Sequence, residues 1–364
     1  MSSRGDLSAA ELREIFDRDI APTLTATGAA ELHPSVVFVG AQPGAGKSRE
    51  IATVRDDQPA AVPVIGDDFR QFHPDYWTTM DKDPLSMPHI TAQASGAWVG
   101  MAADHLRSER RSVILETTMR QSAVVEATAA AFRAQGYRVE AHVLAVPGAV
   151  SALGTVSRYL GSAAGNDQNR WTPSAAHETA YEAMPATVEQ LVSRGLVDRI
   201  TVTTRAQGVL YERAVTADVA QTVGAEARRA IEAGRSPASM TAREGREWVR
   251  EFVVAAARVS RLPEVAEDLN ETMRRLAAAG PEIIRHTHNP ALRTAAREAV
   301  ASAEIPGGRP RSSTDRDHAK WWGVDVDRGP TRTPGEIAAR SAQDVQGTAI
   351  AADVAKNRSL GRER

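Results

Sequence analysis

Residues 34–50 read PSVVFVGAQPGAGKSRE, a run of strand-forming apolar residues that passes straight into a glycine-rich turn and an ordered Lys47-Ser48 pair. Few local patterns restrict a fold as much. In a phosphate-binding loop the backbone N–H groups line a concavity, and the glycines let the chain approach the phosphates closely. The lysine places its charge on the β/γ bridge, and the next hydroxyl ligates Mg²⁺. A helix starting just after the loop adds its N-terminal dipole. The written pattern G-x-x-x-x-G-K-[ST] is missed by one position: Ala41 stands at the first glycine site and Gly40 lies one residue early. Alanine fits there provided the backbone does not need a positive φ. The residues expected to cradle a nucleotide are Gly40, Ala41, Gln42, Pro43, Gly44, Ala45, Gly46, Lys47 and Ser48, with Ser48 on the Mg²⁺.

Such a loop closes the first strand of a parallel sheet, and the following sequence supplies the others. Short Val- and Ile-rich runs at 62–66, 112–117, 137–146 and 198–204 alternate with helical patterns, and 208–214 reads as an added edge strand. Gly136 and Gly195 end two of the helices, and Thr172-Pro173 reads as an N-cap with a first-turn proline. Ahead of the sheet, Ser8 and Glu11 form a capping box before Leu12, Ile15, Phe16 and Ile20, with Pro22 ending or bending that helix. After residue 216 the strand signal stops. Thr241 and Glu244 make a second capping box, Trp248, Phe252 and Val259 share a helix face, and the next stripe runs to Gly280-Pro281. The expected fold is a three-layer α/β/α nucleotide-binding domain with a mostly parallel sheet. The expected division is an N-terminal helical segment at 1–33, the phosphate-loop domain at 34–215, a helical region at 216–304 and a polar tail at 305–364. That tail, with Trp321-Trp322, is expected to be partly disordered or docked through its tryptophans.

Composition narrows the partners. A formal net charge of -2 over 364 residues offers no bulk attraction to nucleic acid or to a membrane surface. The absence of cysteine excludes disulfides, thiolate metal sites and a cysteine nucleophile. With no apolar run of bilayer length and no signal-peptide pattern, the expected location is the cytoplasm. His286 and His288 have no third ligand nearby in the sequence, so no metal site is assigned to them.

Binding alone is not catalysis, but the other strand ends carry chemistry. No Asn-Lys-x-Asp guanine motif is present, which argues against a switch GTPase. Asp67 and Asp68 follow the second strand, on the sheet edge that faces the ligand crevice in open α/β folds. One can cap a helix while the other accepts a proton from an attacking hydroxyl, and Asp67 is favoured as that base. The third strand ends ILETTMRQ, bringing Glu116, Thr118 and Arg120 to the same edge as groups that suit a polyhydroxyl substrate. Arg158 and Arg170 flank a Gly/Ser/Ala/Asn segment that reads as a lid, where guanidinium groups can fork onto phosphate oxygens. His73 reads as a residue fixing the loop before Pro74, while Tyr76 and Trp77 suit either a stacking platform or the core.

In order and spacing, GAQPGAGKS, DDFRQFHPDY, LETTMR, AVPGAVSALGTVSRY and RWTPSAAHE resemble the zeta toxin family of P-loop kinases across residues 35–205. The resemblance implies an ATP- or GTP-dependent kinase of UDP-N-acetylglucosamine that blocks cell-wall precursor use, and an antitoxin protein as partner. By matched position, Lys47 and Ser48 would hold nucleotide phosphates and Mg²⁺, and Asp67 would be the base. Glu116, Thr118 and Arg120 would contact the sugar nucleotide, and Arg158 and Arg170 the transferring phosphate. One position departs: Gly100 stands where the family often has an acidic residue, with Asp104 one turn later. The alternatives are a phosphotransferase acting on another small hydroxyl compound, such as an antibiotic or a dinucleotide, or a nucleotide-binding interaction module.

Overall fold

The structure is a computed structural model that describes residues 5–26, 29–161 and 171–285, with 293, 294, 297 and 300. Arg170, His286, His288 and the tail with Trp321-Trp322 lie outside the described residues.

Six strands form one sheet: β1 (Ser35–Gly40), β2 (Val62–Val64), β3 (Val113–Thr117), β4 (Arg138–Leu144), β5 (Arg199–Thr203) and β6 (Val209–Ala214). Their order is β2-β3-β1-β4-β5-β6. The first five run parallel, and β6 adds antiparallel to β5. β1 is central and buried on both faces, as its unbroken apolar sequence requires. The chain leaves β1 toward β2 and β3 on one side and resumes at β4 on the other. The crevice beyond the carboxyl end of β1 is therefore the ligand site of an open sheet.

Alternation along β1 divides the cores. Val36 and Phe38 face the larger core, packed by the N-terminal helix (Leu12, Phe16, Ile20) and Ala92–Ser108 (Trp98, Leu106). Ser122–Ala134 (Phe132), Ser174–Ser193 (Val188, Leu191) and Ala220–Gly234 (Val223, Ile231) complete that layer. Val37 and Val39 face Ile51 and Val54 of the helix Lys47–Asp57 on the other side. A second core joins Leu153 and Val156 of the helix Gly148–Leu160 to Trp248 and Phe252 of Ala242–Val259 and to Leu269, Met273 and Leu276 of Glu267–Arg285. Each large apolar side chain removed from water in this way contributes about 1.5–3 kcal/mol.

Both expected capping boxes form, at Ser8 with Glu11 and at Thr241 with Glu244. Gly136 and Gly195 take the left-handed conformation (φ +76° and +65°) that ends their helices. The first helix passes through a π-helical turn at Phe16–Ile20 into Ala21–Leu24, with Pro22 in the first turn of that last segment. One expectation is corrected: the last helix does not stop before Gly280-Pro281 but runs on to Arg285. Beyond residue 216, Ala220–Gly234 packs in the larger core.

Candidate active site

The loop after β1 settles the displaced glycine. Positive φ falls at Gly44 (+75°) and Gly46 (+101°), not at Ala41, whose N–H donates to Thr117 O at 3.2 Å. Ala41 is fully buried. Gly40 is needed for a different reason: a Cβ there would sit 2.8 Å from the buried side chain of Met119. Lys47 opens the helix at the head of the loop, with Gly46 as its left-handed N-cap. Its Nζ donates to Ala41 O at 2.9 Å and lies 3.4 Å from Glu116 Oε1. Ser48 is exposed in the first turn of the same helix.

Register explains the Glu116 contact. Val39 of β1 pairs with Glu116 of β3, and Gly40 with Thr117, so the two strands end together beneath the loop. The structure thus brings Glu116 to the lysine. Thr118 follows at the partly buried strand end, and Arg120 is exposed beyond it.

β2 ends at Val64, two residues earlier than its apolar pattern suggests, and Asp67 lies in the short helix Gly66–Phe69. The Asp67 carboxylate is gripped from two sides. Arg70 Nε donates to Oδ1 at 2.9 Å, and Arg158 NH1 lies 3.4 Å from Oδ2. Arg70 is itself fixed by Thr91 Oγ1 (2.6 Å) and Pro88 O (3.2 Å). Arg158 also donates to Thr172 Oγ1 at 2.5 Å. Thr172 therefore serves the arginine instead of capping the next helix as expected. That helix takes its cap from Asp268, which accepts from Ser174 N at 3.1 Å, from Ser174 Oγ, and from Trp171 Nε1 at 2.9 Å.

His73 does fix its loop: Asp75 N donates to Nδ1 at 3.1 Å, which leaves Nε2–H to donate to Gly5 O at 2.7 Å. Tyr76 is fully buried, whereas Trp77 is 56% exposed. Gly100 lies on the exposed side of Ala92–Ser108, where a Cβ would meet nothing within 4 Å. Asp104 pairs with Arg107 at 2.8 Å.

Sequence reasoning missed Arg70, Met119 and Arg205. Arg70 stands three residues after Asp67 in a helical stretch, a spacing that brings opposite charges together and was a usable signal. Arg205 follows β5, with its side chain 3.7 Å from where a Cβ of Gly46 would stand and its guanidinium on Val150 O at 3.3 Å. Nothing local in the sequence marks it.

A phosphate loop closing the central strand of a 2-3-1-4-5 parallel sheet, with one carboxylate at the end of the neighbouring β3 and another just after β2, defines a P-loop kinase. The zeta toxin family matches residues 22–216, more than half of the chain. Toxin zeta of Enterococcus hirae is 30% identical over 205 residues, which span 54% of this chain and 71% of the relative. Toxin zeta of Streptococcus agalactiae is 25% identical over 221 residues, 60% of this chain and 77% of that one. The solved PezAT chromosomal toxin–antitoxin system of Streptococcus pneumoniae shares the fold, with a TM-score of 0.51 at 22% identity over 63% of this chain and 97% of the solved one. The protein belongs to the zeta toxin family. No helix among the described residues is long and apolar enough to cross a membrane.

Proposed function

We propose that this protein transfers the γ-phosphoryl group of ATP or GTP to the 3'-hydroxyl of UDP-N-acetylglucosamine, and so blocks the use of a cell-wall precursor. The observation that carries the phosphotransfer reading is the meeting of Lys47, Glu116, Asp67 and Arg158 at one sheet edge. In the transfer, the acceptor oxygen bonds to the γ-phosphorus while the bond to the β–γ bridging oxygen breaks, and ADP or GDP leaves. The transition state is loose, so catalysis is mainly positioning and charge stabilisation, and a weak base suffices. Asp67 takes the hydroxyl proton. Lys47 exchanges the Ala41 carbonyl for the β/γ phosphates, and Arg158 and Arg170 offset the charge on the transferring group. Glu116, Thr118 and Arg120 line the acceptor side.

Mg²⁺ fits the residues present. Among the described residues no three His, Asp or Glu side chains form a protein-built cage, and the exposed Ser48 hydroxyl suits a cation carried largely on phosphates and water. When bound, the ion neutralises charge on the β- and γ-phosphates. The toxin–antitoxin origin of the pneumococcal neighbour supports a protein antitoxin as partner.

A second reading keeps the reaction and changes the acceptor. It rests on the open space at Gly100 and on Asp104 turning to Arg107, which leave that wall without the family's acid. ADP release measured with a panel of hydroxyl compounds, including UDP-N-acetylglucosamine, separates the two. The amino-sugar nucleotide should stimulate turnover. Asp67→Asn should slow it about 10²–10⁴-fold while nucleotide affinity is kept. Stimulation by a different acceptor alone would remove the substrate assignment, and stimulation by none would remove the kinase.

A further inference from the structure

Gln42 occupies a position that the written phosphate-loop pattern leaves unspecified, yet its side chain is fully buried. Its Nε2 donates to Val146 O at 2.9 Å and to Ser151 Oγ at 3.1 Å, and its Oε1 accepts from Arg235 NH2 at 3.3 Å. The Gln42 main-chain oxygen faces the other way and lies 3.4 Å from Lys47 Nζ. One residue therefore carries the phosphate-loop lysine on its backbone and a buried arginine on its side chain.

Arg235 comes from far along the chain. It is the C-cap of Ala220–Gly234, beyond the residues that match the family. Although only 7% exposed, it forms no ion pair with a carboxylate among the described residues. Its guanidinium lies over the ring of Tyr181, 4.1 Å from the centroid, and NH1 donates to Tyr181 O. Tyr181 stacks on His177, whose Nε2 is 2.9 Å from Ser151 Oγ. The groups around Gln42 close into a ring of Arg235, Tyr181, His177 and Ser151. Burying a cation this deeply is costly, and a hydrophobic residue would fill the same space more cheaply. An oriented donor on Gln42 is what the arginine supplies and a hydrocarbon cannot.

We propose that Arg235 is a positioning residue for the phosphate loop, holding Gln42 so that the loop main chain is set for nucleotide before it arrives. The proposal rests on the phosphate-loop reading above. Burial pulls the Arg235 guanidinium down to about 10, which leaves it charged at neutral pH. The same burial, with the charges of Arg235 and Lys47, pulls His177 down to about 4, so a neutral imidazole sits in the ring.

The test uses the full chain with Arg235→Met and Arg235→Lys, and titrates ADP with magnesium by calorimetry beside the KM for ATP, kcat and the thermal midpoint without nucleotide. Lysine keeps the charge but cannot fork between Tyr181 O and Gln42 Oε1. The methionine variant should bind ADP about tenfold or more weakly, with KM for ATP rising in step and kcat changing less. The lysine variant should fall between it and wild type. If both variants bind ADP within about twofold of wild type, whatever their thermal midpoints, Arg235 only holds helices together and the proposal is overturned. Should the methionine variant fail to fold, the lysine variant decides by the same criterion. Failure of the wild type to bind ADP would instead remove the phosphate-loop reading itself.

Discussion

Two histidines beside the loop, the half-buried His142 and the buried His177, are shifted in opposite directions. His142 of β4 lies 3.3 Å from Glu50 Oε1 and 3.8 Å from Glu140 Oε2. Burial by itself lowers it, but the hydrogen bonds and charges of Glu140 and Glu50 outweigh that and raise it to about 9. His177 is lowered to about 4. Between pH 6.5 and 9 the folded protein holds a proton on His142 that the unfolded chain has lost, so stability falls as pH rises through that window. Between pH 4 and 6.5 the unfolded chain protonates His177 while the folded one does not, so stability falls as pH drops. Each limb is on the order of 3 kcal/mol at most, with the maximum near pH 6.5. Denaturant unfolding across pH should show both limbs, with His142→Gln flattening the alkaline one and His177→Gln the acid one. An alkaline limb unchanged in His142→Gln would mean that the Glu50–His142 contact does not carry it. At this scale the sequence marked Lys47, Ser48, Asp67 and Glu116 as candidates, because their positions follow from strand ends and a local motif. Arg235 and Asp268 were hidden. Each reaches its partner across 193 and 94 residues, and nothing near them in the chain signals it.

Among the elements, the helix Gly148–Leu160 matters most to the site, since it bears Arg158 and packs on the loop through glycine. A Cβ at Gly154 would lie 2.4 Å from Gly44 O, and one at Gly44 would lie 2.0 Å from Ser151 O. Backbone meets backbone, so no side chain can rotate away. Gly154→Ala should raise helix propensity yet cost about 1–3 kcal/mol through overpacking, and should weaken ADP binding as the loop shifts. A thermal midpoint at or above wild type would show that the contact yields more easily than these distances imply. Both ends of this helix are held by the later helices: Trp248 Nε1 donates to Ala149 O at 3.0 Å, and Arg258 NH1 to Leu160 O at 3.0 Å. Strand and helix identities were legible because periodicity and caps are local. The early end of β2 and the helix that passes through Pro281 were not, because the apolar run continues past Val64 and a Gly-Pro pair reads locally as a helix stop.

For the molecule as a whole, the helices after residue 216 pack against elements that precede it. Ala220–Gly234 shares the larger core, and Gly148–Leu160 lies in the second core while contacting the loop. Calorimetry should therefore show one cooperative transition, with equal calorimetric and van't Hoff enthalpies, and Trp248→Ala should lower it by about 3–5 kcal/mol without splitting it. Two resolved transitions would show that the cores melt independently. The facing pair Gly44 and Gly154 also bears on how sequences of this kind can drift. A tight contact between ordinary side chains can survive mutation when one partner shrinks as the other grows. Glycine has nothing left to give up, so a change on either side finds no compensating change on the other. Descendants of this chain should keep both residues together, or lose them together along with the geometry that joins the phosphate loop to its arginine.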